Sequence, residues 1–249
     1  MNSIASLFDR IAPIYDQMNK IMSLGRDDYW RRFLISYIPW SAYSDFSAID
    51  MACGTGAITD FFLQEAKIQQ KSCVCWMIDP STEMLKRAKV RKYSMMPCTK
   101  LHFLKGYAES VPLPSKMTEV YLCGFGVRNM ENRFLAFQEA FRLLKPKGIL
   151  LMLEFSFEVI PILAWAYRRY LLYGIPFLGK WIAKDFSAYQ YLSDSILEFP
   201  SSGIILKECS QAGFENSQCI PMEGGIVQLY YAQKPNDSLQ IQEMGQKTV

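Results

Sequence analysis

Apolar positions along this 249-residue chain alternate between two periods. Ala57 to Gln69 carries Ile58, Phe61, Phe62 and Ala66 at helical spacing and predicts an amphipathic helix. Asn132 to Leu144 repeats the pattern and stops at Lys145-Pro146-Lys147-Gly148. Ser81 opens another helix, with Glu83 in its first turn and basic residues later. Short apolar runs predict strands at Ser47–Asp50, Cys73–Ile78, Leu101–Leu104, Val120–Cys123 and Ile149–Leu153. The last is continuously apolar, as in a strand buried on both faces. Glu215 to Ile220 and Ile226 to Ala232 predict two more. Leu7 to Tyr37 and Pro161 to Leu197 read as helical. Strands alternating with helices predict an α/β fold with a mostly parallel seven-stranded sheet. We expect one domain over 1–234, with an N-terminal helical lid (1–45), a helical insertion (157–197) and a frayed polar tail (235–249).

Composition narrows the choices. Hydrophobic residues make up 50% and charged residues 20%, enough to bury a sizeable core and exclude global disorder. The net charge is +3, and Arg31-Arg32, Lys145 to Lys147 and Arg168-Arg169 lie far apart. No basic stripe forms, which argues against a nucleic-acid partner. The seven cysteines have no CxxC pairing and there is one histidine, so no zinc or other metal site is predicted. Unpaired thiols fit a reducing cytoplasm. Cys73 and Cys75 are expected on opposite faces of their strand. No leader is visible in Met1 to Asp9, and no run of ~20 uncharged apolar residues predicts a span. Phe157 to Trp181 is rich in aromatic and aliphatic residues broken by Arg168-Arg169. It reads either as a cover or interfacial helix touching the inner face of a membrane, or as a lid buried on the core.

Asp50-Met-Ala-Cys-Gly-Thr-Gly56 joins the first strand to the first long helix. Gly54 and Gly56 let backbone approach a ligand closely. Asp79 ends the next strand, where an acid receives ribose hydroxyls in nucleotide sites. Thr59 stands where a dinucleotide site has its third glycine. A carboxylate at Asp50 suits a cationic, amino-acid-bearing ligand and repels a pyrophosphate. Both details favour S-adenosylmethionine over a dinucleotide.

These residues carry a resemblance over roughly 8–234. Phe8-Asp-Arg-Ile-Ala-Pro-Ile-Tyr-Asp16, Met22-Ser-Leu-Gly25, the Asp50–Gly56 loop and Phe125-Gly-Val-Arg-Asn129 resemble the ubiquinone/menaquinone biosynthesis C-methyltransferases. Leu143-Leu-Lys-Pro-Lys-Gly148, Leu153-Glu-Phe-Ser156, Tyr189-Gln-Tyr-Leu-Ser-Asp-Ser-Ile196 and Gly224-Gly-Ile-Val227 follow in that family's order. The resemblance implies a Rossmann-like class I methyltransferase fold, S-adenosylmethionine as cofactor and a lipophilic quinol as substrate. It implies cofactor contacts from Asp50, Gly54, Thr55, Gly56, Asp79, Pro80, Met84, Tyr107, Ala108 and Gly124. Two departures stand out: Tyr107 replaces a short polar residue beside the adenine, and Gly124 replaces a frequent serine.

Ring-carbon methylation needs an in-line acceptor and a stabilised phenolate. Alignment supplies ~7–11 kcal/mol of such a barrier. Arg128 is the candidate for phenolate stabilisation or water activation, since an arginine keeps its proton. The competing reading is an ion pair that holds a loop, with Glu154 or Asp185. Tyr15 and Asn129 complete the catalytic candidates. Tyr15, Asp16 and Asn19 share a helix face, either as a lid over substrate or as a packed N-terminal helix. Tyr189 and Tyr191 either line the quinol pocket or fill core and rim. His102 reads as structural. Demethylmenaquinol is the first substrate expected and a polyprenyl methoxy-benzoquinol the second. The alternative outside catalysis is a cofactor-binding regulator. Oligomeric state is not legible.

Overall fold

The computed structural model describes residues 4–42 and 46–237. The polar tail expected over 235–249 therefore lies outside them from 238 onward. Three helices open the described chain: α1 (Ile4–Ile11), α2 (Tyr15–Met22) and α3 (Asp27–Ser36). The single helical reach expected from Leu7 to Tyr37 breaks twice. Pro13 sits in a 3₁₀ turn over Ala12–Ile14, and Leu24-Gly25 adopts left-handed backbone (φ 51° and 77°).

The Rossmann-like core follows as β1 (Phe46–Met51), α4 (Ala57–Ile68), β2 (Cys73–Asp79), α5 (Thr82–Val90), β3 (Lys100–Lys105), β4 (Thr118–Gly124), α6 (Arg133–Leu143) and β5 (Leu144–Phe155). An insertion comprises α7 (Pro161–Arg169), α8 (Ile175–Leu178) and α9 (Phe186–Leu197), with π turns at Tyr170–Gly174 and Gly179–Ala183. Then come α10 (Ser202–Gln211), β6 (Glu215–Met222) and β7 (Val227–Gln233). Among the described residues the strands form one seven-stranded sheet in the order β3-β2-β1-β4-β5-β7-β6. Only the pairings made by β7, with β5 and β6, are antiparallel. The strand order reverses between β1 and β4, which opens a crevice above their carboxyl ends.

The apolar runs behave as their pattern demands. Six of the seven β4 residues are buried, and so is every residue of β5 from Gly148 to Glu154. Both faces are covered, as parallel strands require. Ser81 and Asn132 cap α5 and α6 by accepting from the amides of Met84 and Leu135. The expected separation of Cys73 and Cys75 is wrong. A strand repeats every two residues, so both face one side, buried in one cluster with Met77. The helix α10 was not expected. It buries only Ile205 and Cys209, carries Gly203 and lacks a side-chain cap, so its pattern is faint. His102 lies on edge strand β3, stacked on Trp76 at 4.2 Å.

A separate core joins the lid to the insertion. Ile11, Ala12 and Met18 pack with Met84, Tyr167, Leu171, Ile175, Ala188, Tyr189 and Ile196. The side chains of α1, α2 and α7–α9 therefore form the roof of the crevice, resting on Met84 of α5 and Phe155 of β5.

Candidate active site

The glycine loop turns sharply at Ala52, Gly54 and Gly56, with φ of 54°, 55° and 84°. At Gly56 a Cβ would stand 2.1 Å from the Tyr93 hydroxyl, so glycine is required by space as well as by φ. Asp79 is 6% exposed and accepts from the amides of Gly54 and Ser81, each at 2.8 Å. Burial pushes its carboxyl up to about 6 despite those two bonds. Asp50 is 1% exposed, and one of its oxygens accepts from the Thr59 hydroxyl (2.6 Å) and amide (3.2 Å). Its other oxygen has no partner, and burial raises this carboxyl to about 7. Thr59, at the place of the missing third glycine, is thus what orients Asp50.

The N-terminal helices are clipped onto this loop. The Thr55 hydroxyl donates to Asp16 at 2.5 Å, and Arg91 bonds both Asp16 (2.5 Å) and the Thr55 carbonyl (2.8 Å). Asp9 accepts from the Ser81 hydroxyl (2.5 Å) and the Glu83 amide. Half-buried Tyr15 lies over Gly54, at 3.8 Å from where a Cβ would stand.

The other cofactor candidates ring the same crevice. Pro80 follows Asp79, and Met84 is buried under the lid. The Gly106 amide donates to the Asp79 carbonyl, which brings Tyr107 and Ala108 to the edge of the site. Ala108 is buried, whereas Tyr107 is 57% exposed and bridged through its backbone to Ser110. Gly124 has a steric explanation: a Cβ there would meet Ile58 Cδ1 at 2.0 Å. Ile58 fills the space that a serine would take.

Beside this crevice lies a cavity of about 440 Å³, walled mainly by apolar side chains of α1, α2, α3, α7 and α9. Arg128 enters it from a 3₁₀ turn, Val127–Asn129, directly after β4. The Arg128 side chain is 4% exposed and its guanidinium donates to Glu154 (2.5 Å) and the Phe125 carbonyl (2.6 Å). Glu154 is fully buried, and also accepts from the Arg128 and Phe155 amides. The ion pair foreseen with Glu154 is present. Asp185 instead pairs with Arg10 and caps α9. Phe125 takes left-handed backbone (φ 59°), a strained conformation for an aromatic residue. Asn129 accepts from the Tyr191 hydroxyl at 3.0 Å.

The decisive detail is what these groups leave unpaired. Arg128 Nε and the hydroxyls of Tyr167 and Tyr189 are buried without a partner, and all three residues line the cavity. An unmet buried polar group costs about 1–3 kcal/mol. Three around one apolar cavity suit a flat apolar ligand carrying oxygens. Burial pushes the phenols of Tyr15, Tyr167 and Tyr189 up, and the nearby Arg128 charge opposes this at Tyr15 and Tyr167. Tyr167 was not singled out from sequence. Its spacing with Leu163, Ala166, Tyr170 and Leu171 marks the inner face of α7 and of the π turn that follows it.

The ubiE/COQ5 methyltransferase family model matches residues 1–234. The chain belongs to the ubiE/COQ5 methyltransferase family. It is 38% identical over 225 residues to a ubiquinone/menaquinone biosynthesis C-methyltransferase of Syntrophotalea carbinolica, covering 90% of this chain and 91% of that protein. It is 33% identical to one of Citrifermentans bemidjiense, covering 93% and 96%. A solved S-adenosylmethionine-dependent methyltransferase of Thermotoga maritima shares the fold at TM-score 0.62 and 17% identity, over 92% of this chain and 98% of that one. S-adenosylmethionine is the family's cofactor, and the crevice fits it. Two buried carboxylates, one with an unpartnered oxygen, suit a cationic ligand with hydroxyl donors.

Proposed function

We propose that this protein is an S-adenosylmethionine-dependent C-methyltransferase acting on a polyprenylated quinol, with demethylmenaquinol as its first substrate. The observation that carries the reading is the cavity beside the glycine loop, where Arg128 Nε and two tyrosine hydroxyls lack partners. The printed names of the relatives cover both the ubiquinone and menaquinone routes. A 2-polyprenyl-6-methoxy-benzoquinol is therefore the second substrate on the same reading.

When bound, S-adenosylmethionine supplies an electrophilic methyl on a sulfonium. Asp79 would hold its ribose hydroxyls, and Asp50, with one oxygen unpartnered, would offset its cationic charge. Gly54, Thr55 and Gly56 provide the close backbone, with Pro80, Met84, Tyr107, Ala108 and Gly124 forming the edges. Tyr15 separates the two halves of the site, over Gly54 on one side and toward Arg128 on the other.

Arg128 stabilises a quinol oxygen as its proton passes to water at the cavity mouth, which concentrates electron density on the neighbouring ring carbon; once methylated, that carbon releases its own proton to the same solvent and the ring regains aromaticity. Such a fixed cation contributes a few kcal/mol, about 10²–10³ in rate. Glu154 fixes the guanidinium at the cavity wall and leaves Nε without a partner. Asn129 and Tyr191 brace the same turn. The hydroxyls of Tyr167 and Tyr189 bind quinol oxygens and set the ring plane. The apolar walls exclude water that would solvate the phenolate. Incubating purified protein with labelled cofactor and each reduced quinol tests the substrate assignment. Faster transfer to demethylmenaquinol supports it, and transfer only to the methoxy-benzoquinol replaces it with the second substrate.

A further inference from the structure

The insertion is apolar on two faces, and only one of them is accounted for. Leu163, Ala166, Tyr167, Tyr170 and Leu171 line the cavity. On the other face Ile162 is 84% exposed, Trp165 71%, Tyr173 65%, Phe177 60% and Trp181 67%. A helix apolar all round is normally covered on every side, and an exposed apolar patch of this kind marks a contact surface.

The spacing is ordered. From Trp165 the exposed positions run through Arg169, Tyr173, Phe177 and Trp181, four residues apart. In a regular α-helix each such step overshoots a turn by about 40° and the row would drift off the face. The two π turns at Tyr170–Gly174 and Gly179–Ala183 add residues to the turn and offset that drift.

Charge identifies the occupant. Residues 159–184 carry Arg168, Arg169, Lys180 and Lys184 and no acid. All four cations are exposed, and no described carboxylate forms an ion pair with any of them. Arg169 lies over the Trp165 ring at 5.0 Å. A second copy docked face to face would set these cations against one another. An anionic bilayer surface matches both the aromatic row and the charge.

The patch adjoins the cavity opening. Leu24 is 89% exposed, with left-handed φ of 51°, and Leu163 is 37% exposed; both also line the cavity. We propose that the outer face of α7–α8 and the following π turn docks on an anionic lipid bilayer, with the cavity opening toward it. That this contact feeds lipid-tailed substrate to the cavity rests on the quinol reading; the docking itself does not.

Cosedimentation with vesicles tests it, using neutral phosphatidylcholine and the same lipid containing phosphatidylglycerol. Binding to the anionic vesicles that falls with salt is the expected result. Trp165→Ala combined with Trp181→Ala should weaken it at least about tenfold, because each removes a large exposed aromatic. Arg168→Gln with Arg169→Gln should flatten the salt dependence. Cofactor affinity should stay unchanged in both pairs, which shows that they fold. Equal binding of the tryptophan variant and the wild type, no binding to anionic vesicles, or a stable dimer that the tryptophan variant dissolves would each overturn the proposal. Vesicle binding without quinol turnover would leave docking standing and remove the quinol reading.

Discussion

Arg128 faces two demands, and a substitution pair separates them. Its guanidinium neutralises Glu154 (both side chains at most 4% exposed) while Nε keeps no partner. Arg128→Met strands a buried carboxylate. Breaking such a pair costs about 3–5 kcal/mol, or roughly 6–20 °C in Tm at ~2–4 °C per kcal/mol for a chain of this size. Loss of turnover in Arg128→Met alone is therefore uninformative. Adding Glu154→Gln removes the stranded charge, and the double variant should regain most of that Tm. If Arg128 stabilises phenolate, turnover in the double variant should stay about 10²–10³ below wild type. Calorimetry and single-turnover methyl transfer on the same samples read the two effects apart. Turnover that recovers together with Tm would refute the catalytic role and leave Arg128 as a loop brace.

Three further outcomes are expected. Tyr167→Phe should keep cofactor affinity and lower kcat/KM for quinol about tenfold, the weight of one hydrogen bond; unchanged kcat/KM in steady-state assays would remove Tyr167 from the site. Asp79 titrates near 6 against an ordinary 3.8, so its carboxylate is disfavoured when buried. The resulting loss of stability is absent below about pH 4 and complete above about pH 7. Cofactor binding uses the ionised form, so affinity should fall as pH drops from 7 to 5, up to about tenfold per unit for each carboxylate; Asp79→Asn should remove the part centred near 6 and leave the part set by Asp50 near 7 in calorimetric titration. Gly124→Ser should cost about 1–3 kcal/mol, since its Cβ meets Ile58, and Ile58→Val should relieve part of this in thermal melts.

The sheet was legible because parallel strands buried on both faces must be continuously apolar, as Ile149 to Leu153 is. The cofactor loop was legible because Gly54, Gly56, Asp50 and Asp79 stand at fixed points of one β-α-β unit. Other features depend on long-range contacts that no local pattern encodes. Spacing offered Glu154 and Asp185 equally as partners for Arg128. The pairing of β4 with β5, Gly124 against Leu153, is what brings Glu154 to it. Tyr167 sat inside a run read only for its apolar character. Its hydroxyl matters because α7 folds over the cavity and leaves that oxygen without a partner. The helix α10 escaped notice because two buried residues make too weak a stripe.

The proposed reaction is methylation at carbon in the cavity beneath the N-terminal helices. Locating a ¹³C methyl group from labelled cofactor by NMR of the quinol product tests it most directly. Label is expected on a ring carbon, with loss of that signal in the Arg128→Met, Glu154→Gln double variant. Label on a quinol oxygen, or none on any quinol from protein shown to bind the cofactor, would contradict it.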